Sequence, residues 1–111
     1  MPHGASLAAC LKQVLEVSYK SNLVKFAEIA DLFDDSVRSL PLRDRAEKSV
    51  LYPDRLLKDC GVTIGYGDYG ITEKDIEKAA DIAINLQSFD LNNHPLKVTK
   101  QEIMEIYRRC L

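Results

Sequence analysis

Two histidines, three cysteines and a scatter of carboxylates are the side chains of this 111-residue sequence most suited to chemistry. His3 stands between Pro2 and Gly4, directly ahead of an apolar-periodic stretch, and His94 precedes Pro95 in a polar segment. An imidazole can ligate a metal or carry a proton, but a metal site takes about three or four protein donors. Neither histidine has companions at ligand spacing. There is no His-Glu-x-x-His, no Cys-x-x-Cys pair and no Gly-x-Ser-x-Gly elbow. Cys10, Cys60 and Cys110 lie about fifty residues apart, an odd count at wide spacing that is neither a disulfide framework nor a zinc pair. They are expected as reduced, partly buried thiols. The acids fall at helix-pair spacing, as in Glu73/Glu77 and Asp31/Asp35, which suits solvent-facing positions.

The elements that must position these groups are helical. Leu7, Leu11, Val14 and Leu15 give the i, i+4, i+7, i+8 stripe of an amphipathic helix over about 5–20. Ser21-Asn22 interrupts it and can cap a second helix from Leu23 to Phe33, which Asp34-Asp35-Ser36 ends in a turn. Leu40-Pro41 is a break, because the residue before proline is pushed out of the helical region. A weakly apolar helix follows over 42–51. Pro53 is expected to interrupt it and open a new short helix to Asp59, with Gly61 as the stop.

Residues 62–70, with Gly65, Gly67 and Gly70 among two tyrosines, read as a loop or small hairpin. The glycines do not make a phosphate loop, since no strand-then-helix frame and no Lys-Ser/Thr accompany them. Thr72 and the acids after it open a well-marked helix to about Leu86, buried through Ile76, Ala79, Ala80, Ala83 and Ile84. A polar loop is expected over 87–98. Thr99 and Glu102 then form a capping box for a last helix carrying Ile103, Ile106, Tyr107 and Cys110 on one side. The expectation is an all-α fold of five to six helices, bundle-like, in a single domain over 1–111.

Bulk composition narrows the function classes. Apolar residues make up 46%, enough for a modest core. With 15 basic and 17 acidic residues interspersed, the net charge is −2, and no basic face for nucleic acid stands out. No apolar run reaches the length of a membrane span, and no charged-then-apolar leader is present. The chain reads as cytoplasmic, without nucleic-acid or membrane partners.

Beyond this, the residues alone specify a helical domain and little more. What adds to them is the order of several short elements. Pro2-His3-Gly4, a small-residue apolar helix and then Ala27-Glu28-Ile29-Ala30 resemble the opening of the C-terminal half of iron-containing alcohol dehydrogenases. Leu56-Leu57-Lys58-Asp59-Cys60-Gly61-Val62 is similar to that family's leucine-to-glycine-valine element. Thr72-Glu73-Lys74-Asp75-Ile76 is similar to its threonine-glutamate-glutamate-aspartate-isoleucine helix start. Asn93-His94-Pro95-Leu96-Lys97-Val98-Thr99 is similar to its last loop before the final helix. The resemblance covers nearly the whole chain, in order.

It implies the C-terminal half of the dehydroquinate synthase-like fold, and a role for His3 as one ligand of a divalent metal, iron or zinc. It also implies a nicotinamide cofactor, NAD or NADP, on a separate N-terminal nucleotide-binding domain or subunit, in an enzyme that can be a homo-oligomer. The chain departs from the pattern too. Leu7 and Lys12 stand near the places of the usual asparagine and proline, the region between Asp35 and Leu56 is shorter, and Gly65 to Gly70 reads as an insertion. The family's other metal ligands and its glycine-rich phosphate loop have no counterpart here. The chain is therefore expected to act as part of a larger oxidoreductase, with no catalytic residue of its own and no tight metal or cofactor binding when alone. The alternative is a non-catalytic helical protein-interaction module. A helix-turn-helix regulator is disfavoured by the absent basic stripe.

Overall fold

The computed structural model describes residues 1–86 and 88–111, and among them there are six α-helices and no strand. They are α1 (His3–Ser18), α2 (Leu23–Phe33), α3 (Leu42–Asp59), α4 (Glu73–Leu86), α5 (Ser88–Asn92) and α6 (Lys100–Arg108). Short 3-10 turns follow α1, α2 and the loop after α3. The residues fall into two compact units, one made of Leu11–Thr63 and the other of Met1–Cys10 with Ile64–Leu111, so the division runs through α1. No helix among the described residues is long and apolar enough to cross a membrane.

In the 11–63 unit, α2 and α3 meet through small residues. Ala27, Ala30, Ala46 and Ser49 are all fully buried, which lets the two backbones approach closely. Tyr19 and Val50 complete this core, with Leu15, Leu23 and Phe26 packed at its edge. Asn22 caps α2 by accepting from the Lys25 N–H at 3.1 Å. The carboxylate of Asp31 is buried, contrary to the solvent-facing position expected from its spacing, and it is held by a two-pronged Arg45 contact at 2.6 and 3.2 Å. Arg38 approaches the same carboxylate at 3.4 Å. Tyr52 donates to Asp34 at 3.1 Å and stacks on Phe33.

Pro53 does not divide this region into two helices. α3 runs unbroken from Leu42 to Asp59 with Pro53 inside it. Proline costs one backbone hydrogen bond at that point, but Ala46, Ser49 and Val50, just before it, are buried in the core, and that packing holds the helix through the defect. Gly61, at φ +76°, is the left-handed stop after Cys60.

In the other unit, Ala80 and Ala83 of α4 pack on Ile103 of α6, with Ile84, Leu91, Val98, Met104 and Tyr107 around them. Both helix starts are closed by their own side chains. The Asp75 carboxylate accepts from the Thr72 N–H at 2.9 Å and from its hydroxyl at 2.8 Å. Thr99 and Glu102 form the expected reciprocal box. Lys100 reaches Asp81 at 2.7 Å and Glu77 at 3.3 Å, and Arg108 reaches Glu73 at 2.6 Å, so cations of α6 tie it to α4. The segment expected as a polar loop over 87–98 contains the short helix α5, because Leu91 turns onto the α4–α6 cluster. Gln87 lies outside the described residues.

Candidate functional site

The corner built around His3 belongs to the unit of Met1–Cys10 and Ile64–Leu111. His3 is the first residue of α1, and its side chain is exposed. The helix starts there because the Ser6 N–H donates to the Pro2 carbonyl at 3.1 Å, while the Ser6 hydroxyl donates to the His3 carbonyl at 2.7 Å. The first turn is thus closed by one side chain, and the imidazole remains at the helix tip.

One turn further on, Cys10 belongs to a cluster that the sequence does not announce. The Tyr66 and Tyr107 rings lie 6.0 Å apart, centroid to centroid. Burial pushes the Tyr66 phenol well above its usual range, helped by the nearby Cys10 thiol and then by Cys110 and Tyr107. Tyr107 is raised for the same first reason, burial, and then by Cys10 and Cys110. The Cys110 thiol is buried, donates to the Ile106 carbonyl at 3.0 Å, and is pushed up to about 12, chiefly by burial. Tyr66, Tyr107 and Cys110 are therefore neutral at physiological pH, and this part of the cluster is packed core rather than a nucleophile.

The loop before α4 is stitched onto the chain end. The Tyr66 N–H donates to the Cys110 carbonyl at 2.7 Å, and Gly65 leaves room for that approach, since a Cβ there would sit 3.2 Å from the same oxygen. The hairpin alternative for 62–70 is not adopted. The segment is a loop with one 3-10 turn, Gly67–Tyr69, braced by the Asp68 carboxylate on the Gly65 N–H at 2.8 Å.

His94 stands apart from this corner in role. Its Nδ1 lies 2.9 Å from the Leu96 carbonyl and 3.2 Å from the Leu96 N–H, so in either tautomer that nitrogen is engaged by the adjacent peptide. Cys60 is exposed at the end of α3. Among the described residues, no three of the histidines, cysteines and carboxylates come together in a way that could hold a metal ion. An exposed imidazole is chemically apt as one donor to a divalent metal. The donor set of these residues stops there, and a metal at His3 needs donors from elsewhere.

Comparison with known proteins gives this arrangement a context. Residues 1–111 match the family model described as Fe-containing alcohol dehydrogenase family, C-terminal. The 1,3-propanediol dehydrogenase of Klebsiella pneumoniae is 34% identical over 110 residues, covering 99% of this chain and 28% of that protein. The NAD-dependent methanol dehydrogenase of Bacillus methanolicus is 27% identical over 111 residues, covering all of this chain and 29% of its own length. A crystal structure of a 1,3-propanediol oxidoreductase superposes on the whole of this chain with a TM-score of 0.91 at 33% identity, again over 28% of that chain. The chain therefore spans a little over a quarter of the length of the curated relatives it matches.

Proposed function

The chain belongs to the Fe-containing alcohol dehydrogenase family as its C-terminal helical domain, and from that premise we propose that it serves a metal-dependent, nicotinamide-linked oxidoreductase that interconverts alcohols and aldehydes. In this reading His3 supplies one ligand to a divalent metal, iron or zinc. The remaining ligands and the nucleotide-binding domain come from a partner segment or subunit. A divalent metal held by His3 together with donors from elsewhere would supply Lewis-acid chemistry at an alcohol oxygen, and a nicotinamide on the other domain would supply the hydride acceptor.

This chain's own part is to hold an imidazole at a helix tip. Ser6 closes the first turn beneath it, and the α4–α6 core anchors the unit to which that turn belongs. The observation that carries the reading is the family match along all 111 residues, in a chain whose histidine-glycine pair opens a helix. The relatives' names point to short alcohols and aldehydes as the substrate class. The setting is cytoplasmic, and the assembled enzyme is a homo-oligomer.

The test is co-expression with an N-terminal nucleotide-binding half of the family, followed by an assay for metal-dependent, nicotinamide-linked alcohol oxidation. His3→Ala should abolish activity and lower metal content while leaving the helical content unchanged. Full activity and metal content in His3→Ala would remove His3 from the site. The isolated chain should bind neither Fe²⁺ nor Zn²⁺ tightly.

One observation favours a second reading, a helical interaction module without catalysis. Leu32 in one unit, and Leu86 and Phe89 three residues apart in the other, are 85, 77 and 78% exposed, apolar side chains that a partner could cover. On that reading the chain captures a partner protein equally well with His3→Ala, and no metal-dependent activity follows from complex formation.

A further inference from the structure

The geometry points to a self-complementary surface on the unit of Met1–Cys10 and Ile64–Leu111, through which two copies of the chain join: the Phe89 ridge of each copy seats in the groove beside α6 of the other, and Asp90 of one meets Lys97 of the other. The ridge is made of Ile82 and Leu86, one turn apart on α4, and Phe89 on α5, all three exposed. The groove has a volume of about 430 Å³, and Ile84, Leu91 and Val98 form its apolar walls.

Ridge and groove are neighbours. Leu86 and Phe89 fall between Ile84 and Leu91 in the sequence, so the side chains that protrude and those that line the groove come from one short stretch. A surface that carries a protrusion beside a matching recess is complementary to itself, and a twofold axis between the two fills both recesses at once. The groove's volume lies within the roughly 300–1,000 Å³ of apolar sites that take small organic groups, enough for one aromatic ring.

Charge selects a second copy over an unrelated apolar partner. Asp90 adjoins Phe89 in the chain and Lys97 lines the groove; both are exposed, and neither has an ion-pair partner among the described residues. The other charges near the groove are engaged. Lys100 holds Asp81 at 2.7 Å and Glu77 at 3.3 Å, and Glu102 accepts from the Thr99 N–H at 2.7 Å. Each ring that enters a groove brings its Asp90 toward an unpaired ammonium, and the twofold makes that pairing twice. Two exchanged rings, at roughly 150–250 Å² each, fall well short of the roughly 1,200–2,000 Å² of stable complexes, so the dimer is weak. The contact needs neither metal nor nicotinamide. It goes beyond the oxidoreductase reading, to which it adds a place where the proposed homo-oligomer joins.

The experiment is analytical ultracentrifugation of the 111-residue chain at low salt, at concentrations up to millimolar. A concentration-dependent dimer is expected, and it should weaken as added salt screens the Asp90–Lys97 pairs. Asp90→Lys alone and Lys97→Asp alone should each weaken it by about tenfold or more, since each sets like charges opposite one another twice. An equimolar mixture of the two variants should dimerise again, because both contacts then pair opposite charges. Phe89→Ser should leave a monomer of unchanged helical content. A chain that stays monomeric throughout, a dimer indifferent to Phe89→Ser, or a mixture that stays apart overturns the contact. So does a chain that is monomeric alone but binds a co-expressed nucleotide-binding half through Phe89, which assigns the ridge to that partner. Failure here leaves the test of His3 untouched, and an inactive co-expressed enzyme leaves the dimer standing.

Discussion

Replacing Asp31 with alanine should be the most costly single change in the 11–63 unit. The carboxylate is 5% exposed and receives both prongs of Arg45, at 2.6 and 3.2 Å, with Arg38 at 3.4 Å. Removing one partner of a buried ion pair costs about 3–5 kcal/mol, since the other charge is left without its counter-ion. Arg45 keeps 22% of its side chain in water, which recovers part of that loss, so the expected cost is about 2–3 kcal/mol. In a domain of this size that is a fall in Tm of about 8–15 °C. Urea unfolding followed by far-UV circular dichroism measures it directly. Arg38→Ala is the control. Its side chain is 60% exposed, so its share of the network should stay below about 1 kcal/mol. A cost for Asp31→Ala below about 0.5 kcal/mol, or an Arg38→Ala cost equal to that of Arg45→Ala, would refute the assignment of a buried bidentate anchor.

Four further outcomes concern the other unit and the thiols. Gly65→Ala should destabilise that unit by about 1–2 kcal/mol, because the new Cβ would sit 3.0 Å from the Leu111 carbonyl and 3.2 Å from the Cys110 carbonyl that accepts the Tyr66 N–H; chemical denaturation checks this, and Gly67→Ala should cost at least as much, since its Cβ would meet the Leu111 carbonyl at 2.9 Å. With iodoacetamide at mildly alkaline pH, the exposed Cys60 should label first and Cys110 last, as the latter is buried and raised to about 12; mass spectrometry of timed digests reads the order. Cys110 also sets an alkaline limit. Its protonated form is favoured in the folded state, so that contribution is complete below the ordinary thiol value of 9.0 and is lost as pH rises toward 12. On the acid side, Glu102 is lowered from 4.5 by the Thr99 N–H and hydroxyl, so its contribution is present above that value and fades as pH falls through the native one. Glu102→Gln should flatten the acid limb of a Tm–pH profile.

The helices were legible wherever periodicity and capping agreed. The bounds of α2 follow from its apolar repeat and Asn22, and α6 from the Thr99–Glu102 box, because such signals are local. Pro53 misled for the opposite reason. Its local cost is real, but the packing of α3 on α2, which no local window contains, outweighs it. α5 went unseen because a single turn anchored by Leu91 has no room to display a period. Asp31 was read from spacing as solvent-facing, although its partner Arg45 is fourteen residues away in sequence. At the site, the histidine-glycine pair was visible through the family resemblance. The cluster of Cys10, Tyr66, Tyr107 and Cys110 was not, because its members come from three distant stretches. A glycine-flanked tyrosine was the one available hint.

The discontinuous make-up of one unit has a consequence for synthesis. Residues 11–63 form their unit from one uninterrupted stretch, so they can settle while the ribosome is still at work. Residues 1–10 are translated before residues 11–63 yet belong with Ile64–Leu111, and the Tyr66 N–H finds its acceptor only when Cys110 has been made. The helix tip bearing His3 is therefore made before the 11–63 unit yet secured after it. Premature termination within α6 would leave that tip, and any metal chemistry it serves, unsupported, while the 11–63 unit remained folded.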